Sequence, residues 1–397
     1  MSKKAAILRH LNMRAIKAGF YSTISRLPAL RDYLNYYQDA VYFADAADER
    51  SVKMLEIDPV NDYGVEFSES EIQDLLRCKD VSSETLKLRY KMARLSDVTI
   101  LGSSGVTLCN RTAMVLGLAR SGGRLHPNWV VARPLKSVPS DNSAVYVNLL
   151  WMRKGHRHFA HFFWDMLLPI LVFLKNWHDP EERLVFLVRE DMSAIQRDTY
   201  RFIAEDHPNI TFQPLAADRK LVCERSIYIA SQHPFHGVAN TLARDYMREM
   251  AEFYLRHYGI APPVAGPGKR LYLSREGAGI RRVTNEPGIL EMLSRYGFES
   301  VEPGGIPFCR QAELFQSADI IVAPHGAALA NLMFCRPGTC ILEFFPADYV
   351  DDCYLRISKA MELDHHYLFG GKSDFPKRNY EMDPDELENS VRTLIGA

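Results

Sequence analysis

Apolar residues in the second half of the chain recur in short continuous runs that alternate with amphipathic stretches. From residue 269 onward the runs RLYLS, FESVE, DIIVAP, CILEFF and HHYLF alternate with helical patterns such as PGILEMLSRYG and FCRQAELFQSA. Short buried strands that are separated by helices and joined by short turns are typical of a parallel sheet covered on both faces. The pattern therefore predicts an α/β layer.

The first half of the chain shows the same alternation less regularly. AVYVNLLW, LVFLV and ITFQPL have the pattern of strands, whereas HFAHFFWDMLLPILVFLKNW and LARDYMREMAEFYLRHYG have that of helices. Between the halves, APPVAGPGK at 261–269 is too rich in proline and glycine to continue either element. We predict two facing Rossmann-like domains, 1–260 and 261–397, with a ligand cleft at the carboxyl ends of the strands.

Composition and charge exclude several classes of protein. With 397 residues, 47% of them hydrophobic, the chain is long enough for two domains with full cores. The 48 basic residues balance 49 acidic ones, so no overall field favours nucleic acid. The seven cysteines are odd in number and irregularly spaced, which argues against disulfides and zinc and favours a reducing cytoplasm.

The N-terminal segment, residues 1–28, carries only basic charges among apolar residues at near-helical spacing. Two interpretations stay open. The segment is either a peripheral contact with the anionic inner face of a membrane or a helix docked on the body of the protein. Elsewhere no uninterrupted apolar run reaches the length of a bilayer, so no membrane-spanning segment is expected.

A His-Gly pair, His325 and Gly326, follows the strand DIIVAP and precedes a helix of small residues. The first backbone N–H groups of a helix have no internal acceptor and carry partial positive charge, so they bind phosphate. The histidine would donate to a phosphate oxygen, and the glycine would let the backbone approach it. Glu343, at the end of the next strand, is placed for a ribose diol. The structural alternatives are a glycine needed for turn geometry and a solvated strand end.

A basic loop follows the strand that ends at Ser274. It contains Arg275, Arg281 and Arg282 among glycines, and guanidinium groups suit phosphate or the edge of uracil. The alternative is a solvated loop. No metal site is expected, because the Asp-x-Asp sequence at 383–385 is better explained as the cap of the final helix.

These segments resemble family 61 of the inverting glycosyltransferases, whose bacterial members are often described as capsular polysaccharide biosynthesis proteins. The most specific parts are RRVTNE, HGAALAN and PGTCILEFFP, and the similarity is close over 269–346. Upstream, HRHFAHFFWDMLLPIL is similar to an N-lobe element of the family, which maps onto His161, Asp165, Leu168 and Pro169. Residues 1–140 show no counterpart.

The resemblance implies a GT-B fold, inversion at the anomeric carbon, no required metal, a UDP-sugar donor and a glycan or glycolipid acceptor. Because the chain shows no leader or anchor, we expect a cytoplasmic enzyme of cell-surface polysaccharide synthesis. The residues expected to bind the nucleotide sugar are Arg275, Arg281, Arg282, Asn285, His325, Gly326, Ala327, Asn331 and Glu343.

His161 and Asp165 lie four residues apart on a predicted helix and therefore share a face. An inverting displacement needs one base on the acceptor hydroxyl, and the apolar surroundings would raise the basicity of a carboxylate. We expect Asp165 to be the base, with His161 as the other catalytic candidate; the alternative is a histidine satisfied in the core. Two other functions stay open: a sugar-nucleotide 2-epimerase, and a non-catalytic nucleotide-binding subunit of a polysaccharide assembly complex.

Overall fold

The computed structural model describes residues 52–57, 88–102, 105–109, 112–114, 135–150, 158–232, 244–263, 266–349, 351 and 353–396. These residues form two β-sheets with helices between and around them. The mixed α/β class predicted from the sequence is confirmed. The predicted membrane contact of residues 1–28 lies outside the described residues.

The sheet of the first half contains nine strands. They are β1 Val52–Ile57, β2 Leu88–Leu101, β3 Thr107–Cys109, β4 Thr112–Met114, β5 Lys136–Val138, β6 Val145–Asn148, β7 Leu184–Val188, β8 Ile210–Pro214 and β9 Arg219–Gln232. Strands β9, β6, β7 and β8 lie side by side and pair in parallel. Helices α1, Phe159–Asn176, and α2, Ala194–Asp206, connect them, and the first of these is predicted by the sequence pattern.

The other edge of this sheet is antiparallel, which departs from the expected parallel layer. Strands β2 and β9 pair antiparallel over most of their length, and β1 and β3 pair antiparallel with β2. In β9 the buried Leu221 and Cys223 alternate with the exposed Val222 and Glu224. Such alternation is typical of a strand with one solvated face, and it marks a strand that the search for continuous apolar runs missed.

Helix α1 is the most apolar helix of the first half. Its middle, Phe162–Leu167, is a π-helical turn between two α-helical parts. Among the described residues α1 is the one helix long and apolar enough to cross a bilayer. The sequence analysis did not identify it as such, because polar residues interrupt its apolar run. About two thirds of it is buried inside the protein, which is ordinary for a core helix.

The sheet of the second half contains five strands, all parallel. Its spatial order is β11 Phe298–Val301, β10 Lys269–Leu273, β12 Ala318–Pro324, β13 Cys340–Pro346 and β14 Asp364–Gly370. Counted along the chain this is the order 2-1-3-4-5 of flavodoxin-like doubly wound sheets. The predicted parallel layer is confirmed.

Helices cover both faces of the second sheet. Apolar residues of α4, Glu286–Ser294, and α7, Pro384–Ile395, pack on one face. On the other face lie α5, Phe308–Gln316, a 3₁₀ segment, Ala327–Phe334, and α6, Cys353–Ala360. The side chain of the residue before α7 accepts two backbone N–H groups, so the predicted capping aspartate is confirmed.

An aromatic cluster joins the two halves. Helix α3, Arg244–His257, lies beside α1, and both share one continuous apolar core with the inner face of the second sheet. The ring of Phe308 on α5 stacks on Phe163 of α1 at 5.5 Å between centroids and meets Tyr254 of α3 edge-on at 5.0 Å. The first turn of α1 also packs against the 3₁₀ segment. The predicted boundary at 261–269 falls in the loop between α3 and β10.

Candidate functional site

The carboxyl ends of β10 and β12 lie side by side where the strand order reverses. From β10 the chain proceeds to β11 on one side, and from β12 to β13 on the other, so the two following loops diverge. Ligands of open α/β sheets bind in the crevice that such a switch point leaves. Arg275 follows β10 and His325 follows β12, so the topology brings two predicted site residues together.

The side chain of Arg275 lies directly against the backbone of Gly326. Its Nη2 donates to the carbonyl oxygen of Ile280 at 3.0 Å, and its Nε donates to that of Arg281 at 3.3 Å. A Cβ atom on residue 326 would stand 1.8 Å from Nη1 of the arginine. The backbone of Gly326 is extended, with φ of −179°, a conformation that any residue can adopt. The position of the guanidinium group, and not the backbone conformation, therefore requires a glycine here.

Closely spaced arginines determine the electrostatics of this crevice. Burial, followed by repulsion from Arg281, lowers the pKa of Arg275. The hydrogen-bond acceptors of the Arg275 side chain are carbonyl oxygens, and no ion pair joins Arg275, Arg281 or Arg378 to an acidic residue in the described part of the chain. Positive groups held close together favour an anionic ligand, and here they outnumber the nearby carboxylates of Asp348 and Asp351, which lie within reach of the charges of Arg378 and Arg281.

Arg378 was missed by the sequence analysis. The guanidinium carbons of Arg281 and Arg378 lie 5.0 and 4.8 Å from the ring centroid of Tyr349. Both arginines have left-handed backbone conformations, with φ of 56° and 58°, a strain that clusters at functional sites. Arg378 reaches the site because the backbone N–H of Arg281 donates to the carbonyl of Lys377 at 2.8 Å. No local pattern around residue 378 indicates that pairing.

Two other predicted binding residues have contacts that explain them structurally. The side-chain amide of Asn285 donates to the carbonyl of Met382 at 2.7 Å and accepts its N–H at 3.1 Å. It fastens the start of α4 to the segment before α7. Arg282 is exposed, and its backbone N–H donates to Asn379 at 3.0 Å.

The predicted α-helix after the His-Gly pair is a 3₁₀ segment. Its first backbone bond runs from the N–H of Leu329 to the carbonyl of Gly326 at 3.0 Å. Within the described residues the N–H groups of Gly326, Ala327 and Ala328 have no backbone acceptor, so the predicted set of unpaired donors is present. Ala327 is exposed at the start of this segment.

Asn331 lies inside the 3₁₀ segment and is fully buried. Its side-chain N–H groups donate to Gln311 at 2.9 Å and to the carbonyl of Ala328 at 3.0 Å. Its side-chain oxygen has no hydrogen-bond partner among the described residues. The residue therefore links the segment to α5, and its contact with a nucleotide stays a prediction.

Glu343 lies between two imidazole rings. One carboxylate oxygen accepts a hydrogen bond from Nδ1 of His325 at 2.6 Å. The other lies 3.2 Å from Nε2 of His365, without the alignment of a hydrogen bond. Nδ1 of His365 in turn lies 2.7 Å from the hydroxyl of Ser358 on α6. A buried polar chain thus leads from the crevice to α6.

The pKa of Glu343 reflects this position. Burial by itself raises the pKa, but the charge and hydrogen bond of His325, together with the neighbouring His365, lower it below its ordinary value overall. An ionised carboxylate only accepts, so Nδ1 of His325 donates and Nε2 is left for a ligand. Glu343 has no exposed surface. It therefore acts on His325, whereas the sequence placed it at the ribose.

Helix α1 carries the predicted catalytic pair. Nδ1 of His161 lies 2.8 Å from a carboxylate oxygen of Asp165, across the start of the π-helical turn. Each side chain is about one quarter exposed, at 28% and 24%. The predicted shared face is confirmed as a direct contact, and π-turns inside helices frequently occur at functional sites.

A parallel sheet with unpaired N–H groups and basic side chains at its switch point is the arrangement of nucleotide-binding α/β proteins. Residues 159–342 of the chain match the family described as Glycosyltransferase 61. The matched segment begins with α1 and contains Asp165, Arg275 and His325. It ends one residue before Glu343.

Three relatives whose names describe glycosyltransferases are also similar to part of this chain. The rice (Oryza sativa subsp. japonica) beta-1,2-xylosyltransferase XAX1 is 30% identical over 166 residues, 39% of this chain and 29% of the relative. The EGF domain-specific O-linked N-acetylglucosamine transferase of Drosophila melanogaster is 30% identical over 165 residues, 36% and 31% of the two chains. The protein O-linked-mannose beta-1,4-N-acetylglucosaminyltransferase 2 of Tetraodon nigroviridis is 24% identical over 259 residues, 60% and 44%.

These matches support glycosyltransferase family 61 for the matched part of the chain. The chain spans between 29% and 44% of the length of these relatives. All three are eukaryotic proteins, so they give no support to the capsular, bacterial type named in the sequence analysis.

The contact between Arg275 and Gly326 generates one prediction. Gly326→Ala should displace the guanidinium group and lower affinity for UDP by about 10- to 100-fold, the worth of a charge-assisted hydrogen bond of about 1.5–3 kcal/mol. Gly279→Ala, in the loop that carries Arg275, is the matched control, since its Cβ would meet nothing within 4 Å. Calorimetry with UDP measures both. Equal affinities would show that Arg275 does not contact the nucleotide.

The buried carboxylate generates a second prediction. Because its folded-state pKa is below its ordinary 4.5, Glu343 stabilises the fold fully above that pH and loses this contribution as the pH falls through the folded value. Glu343→Gln should cost about 1.5–3 kcal/mol of unfolding free energy at neutral pH. The cost should shrink in acid. Urea unfolding of the wild type and of Glu343→Gln at several pH values, with a chelator present, measures the difference in unfolding free energy. A difference that does not change with pH would contradict an ionised Glu343.

Proposed function

We propose that this protein is an inverting glycosyltransferase that moves a sugar from a UDP-linked donor to a glycan acceptor. The observation that carries the proposal is the position of Arg275 against Gly326 across the switch point, inside the segment that matches family 61. There a guanidinium group without a carboxylate partner faces unpaired backbone N–H groups. This pairing suits a diphosphate, which every UDP-sugar contains.

The donor diphosphate would lie in the crevice beyond β10 and β12. Arg275, Arg281 and Arg378 would neutralise its charge, and the N–H groups of 326–328 would donate hydrogen bonds to its oxygens. His325, oriented through Nδ1 by Glu343, would donate from Nε2 when protonated. Because these groups supply the positive charge, we propose that transfer needs no divalent cation.

The acceptor would approach from the side of α1. The first turn of this helix packs on the 3₁₀ segment, so the helix with the His161 and Asp165 pair adjoins the donor crevice. Asp165 would take the proton of the acceptor hydroxyl while its oxygen attacks the anomeric carbon. The bond from that carbon to phosphate breaks, and UDP leaves with the electron pair. Direct displacement inverts the anomeric centre.

The names of the relatives narrow the choice of donors. One transfers xylose and two transfer N-acetylglucosamine, and two of the names specify beta linkages. Inversion of an α-linked UDP-sugar gives a β linkage, which agrees with the proposed displacement. UDP-xylose and UDP-N-acetylglucosamine are therefore the first donors to test. The GT-B arrangement, a role in cell-surface polysaccharide synthesis and a cytoplasmic location stay predictions.

UDP release from these donors, with and without glycan or glycolipid acceptors, tests the function. We expect acceptor-dependent release that persists in EDTA. Acceptor-independent isomerisation would indicate an epimerase, and binding without turnover would indicate a nucleotide-binding subunit. Activity that EDTA abolishes and magnesium or manganese restores would contradict the proposed role of the arginines.

The proposed base gives a prediction of its own. Asp165→Asn is isosteric, so we expect near-normal UDP affinity but a transfer rate lower by a factor on the order of 100 to 10,000, the usual range for a general base. His161→Ala should have a smaller effect if the imidazole only orients the carboxylate. Transfer rates at saturating donor and acceptor, together with the UDP affinity of each variant, show which of the two residues is the base. A fully active Asp165→Asn beside an inactive His161→Ala would transfer the role to the histidine.

A further inference from the structure

Three side chains at the edge of the crevice form a set of possible metal ligands. His325, Asp351 and Cys353 each offer one nitrogen, oxygen or sulfur atom, and these atoms lie within 4.8 Å of one another. The histidine and the cysteine are buried, and the aspartate is half-buried. The aspartate is held in place, because one of its oxygens accepts the backbone N–H of Cys353 at 3.2 Å.

The surroundings of His325 are those of a metal-binding histidine. Such histidines almost always donate their other ring N–H to a carboxylate or carbonyl, which fixes the ring and its tautomer. Here Nδ1 lies 2.6 Å from the fully buried carboxylate of Glu343. Nε2 is then the ring nitrogen whose lone pair can bind a metal ion. The proposed function uses the same nitrogen only as a hydrogen-bond donor to phosphate.

The mixed donor set selects among metals. Magnesium and calcium prefer oxygen ligands alone, whereas zinc accepts sulfur, nitrogen and oxygen together in a tetrahedron. Zinc bonds of about 2.0–2.3 Å put the ligand atoms of a tetrahedron roughly 3.5 Å apart. The three groups therefore need only small side-chain adjustments to close around the ion.

We propose that His325, Asp351 and Cys353 form a zinc site with an open fourth position, and that zinc bound there competes with the UDP-linked donor. Binding replaces the thiol proton of Cys353 by a sulfur–zinc bond and releases that proton to water. Thiolate and carboxylate together balance the charge of the ion. The charge of Arg281, which acts on Asp351, opposes a cation at this site. The competition rests on the proposed function, whereas zinc binding does not.

A second cluster supplies the matched control. Cys340, Asp364 and His366 also bring their ligand atoms within 4.8 Å, but they lie at the amino ends of β13 and β14, at the opposite edge of the sheet from the crevice. The carboxylate and the imidazole of this cluster are largely exposed. A variant at Cys340 therefore reports on a surface site of similar composition.

Cobalt titration of the metal-free protein tests the binding. Wild type and Cys340→Ser should both give a cobalt–thiolate charge-transfer band that zinc displaces, and Cys353→Ser should give none. Glu343→Gln should weaken zinc binding about 10- to 100-fold, the usual effect of losing the carboxylate behind a ligating histidine. Asp351→Asn, checked for folding by circular dichroism, should weaken it at least as much. A band kept by Cys353→Ser or lost by Cys340→Ser would overturn the assignment.

Calorimetry with UDP at free zinc concentrations fixed by nitrilotriacetate tests the competition. The apparent Kd for UDP should rise in proportion to free zinc in wild type and in Cys340→Ser, and should stop responding to zinc in Cys353→Ser. A Kd that ignores zinc in wild type would overturn the competition. If UDP fails to bind at any zinc level while the cobalt band is present, the donor assignment fails and the zinc site stands.

Discussion

The close approach of the Arg275 guanidinium to the backbone of Gly326 holds the candidate site together. The two residues belong to loops that leave the sheet in opposite directions, and the arginine closes the gap between them. The guanidinium group also donates hydrogen bonds to two carbonyls of its own loop, which fix its orientation and place Arg281 nearby. The identities of residues 275 and 326 are therefore coupled, since any larger residue at 326 displaces the guanidinium.

A buried charge organises the other side of the crevice. Removing Glu343 from water is costly, and a buried carboxylate is retained only where partners compensate that loss. His325 and His365 supply them from two neighbouring strands. The arrangement leaves one imidazole nitrogen facing the crevice, and its proton decides which ligand it can meet. Protonated, it suits phosphate; deprotonated, it suits a soft cation.

Most of the second sheet and part of the site could be predicted from the sequence. Continuous apolar runs predicted its strands. The tendency of ligands to bind at the carboxyl ends of parallel strands placed Arg275 and His325 in one site. Arg378 and His365 could not be found that way, because they reach the site by pairings distant in sequence. The 3₁₀ form of 327–334 and the antiparallel pairing of β2 with β9 depend on tertiary packing, which propensity alone does not determine.

The aromatic cluster between the halves bears on how ligands enter. Phe308 packs against Phe163 and Tyr254, so separating the halves would expose large apolar rings to water. Aromatic pairs of this kind contribute about 0.5–1.5 kcal/mol each beyond their buried area. A wide rigid-body opening is thus disfavoured thermodynamically. Exchange of ligands would instead depend on rearrangement of the loops around the crevice, whose strained arginine backbones at 281 and 378 can relax when they move.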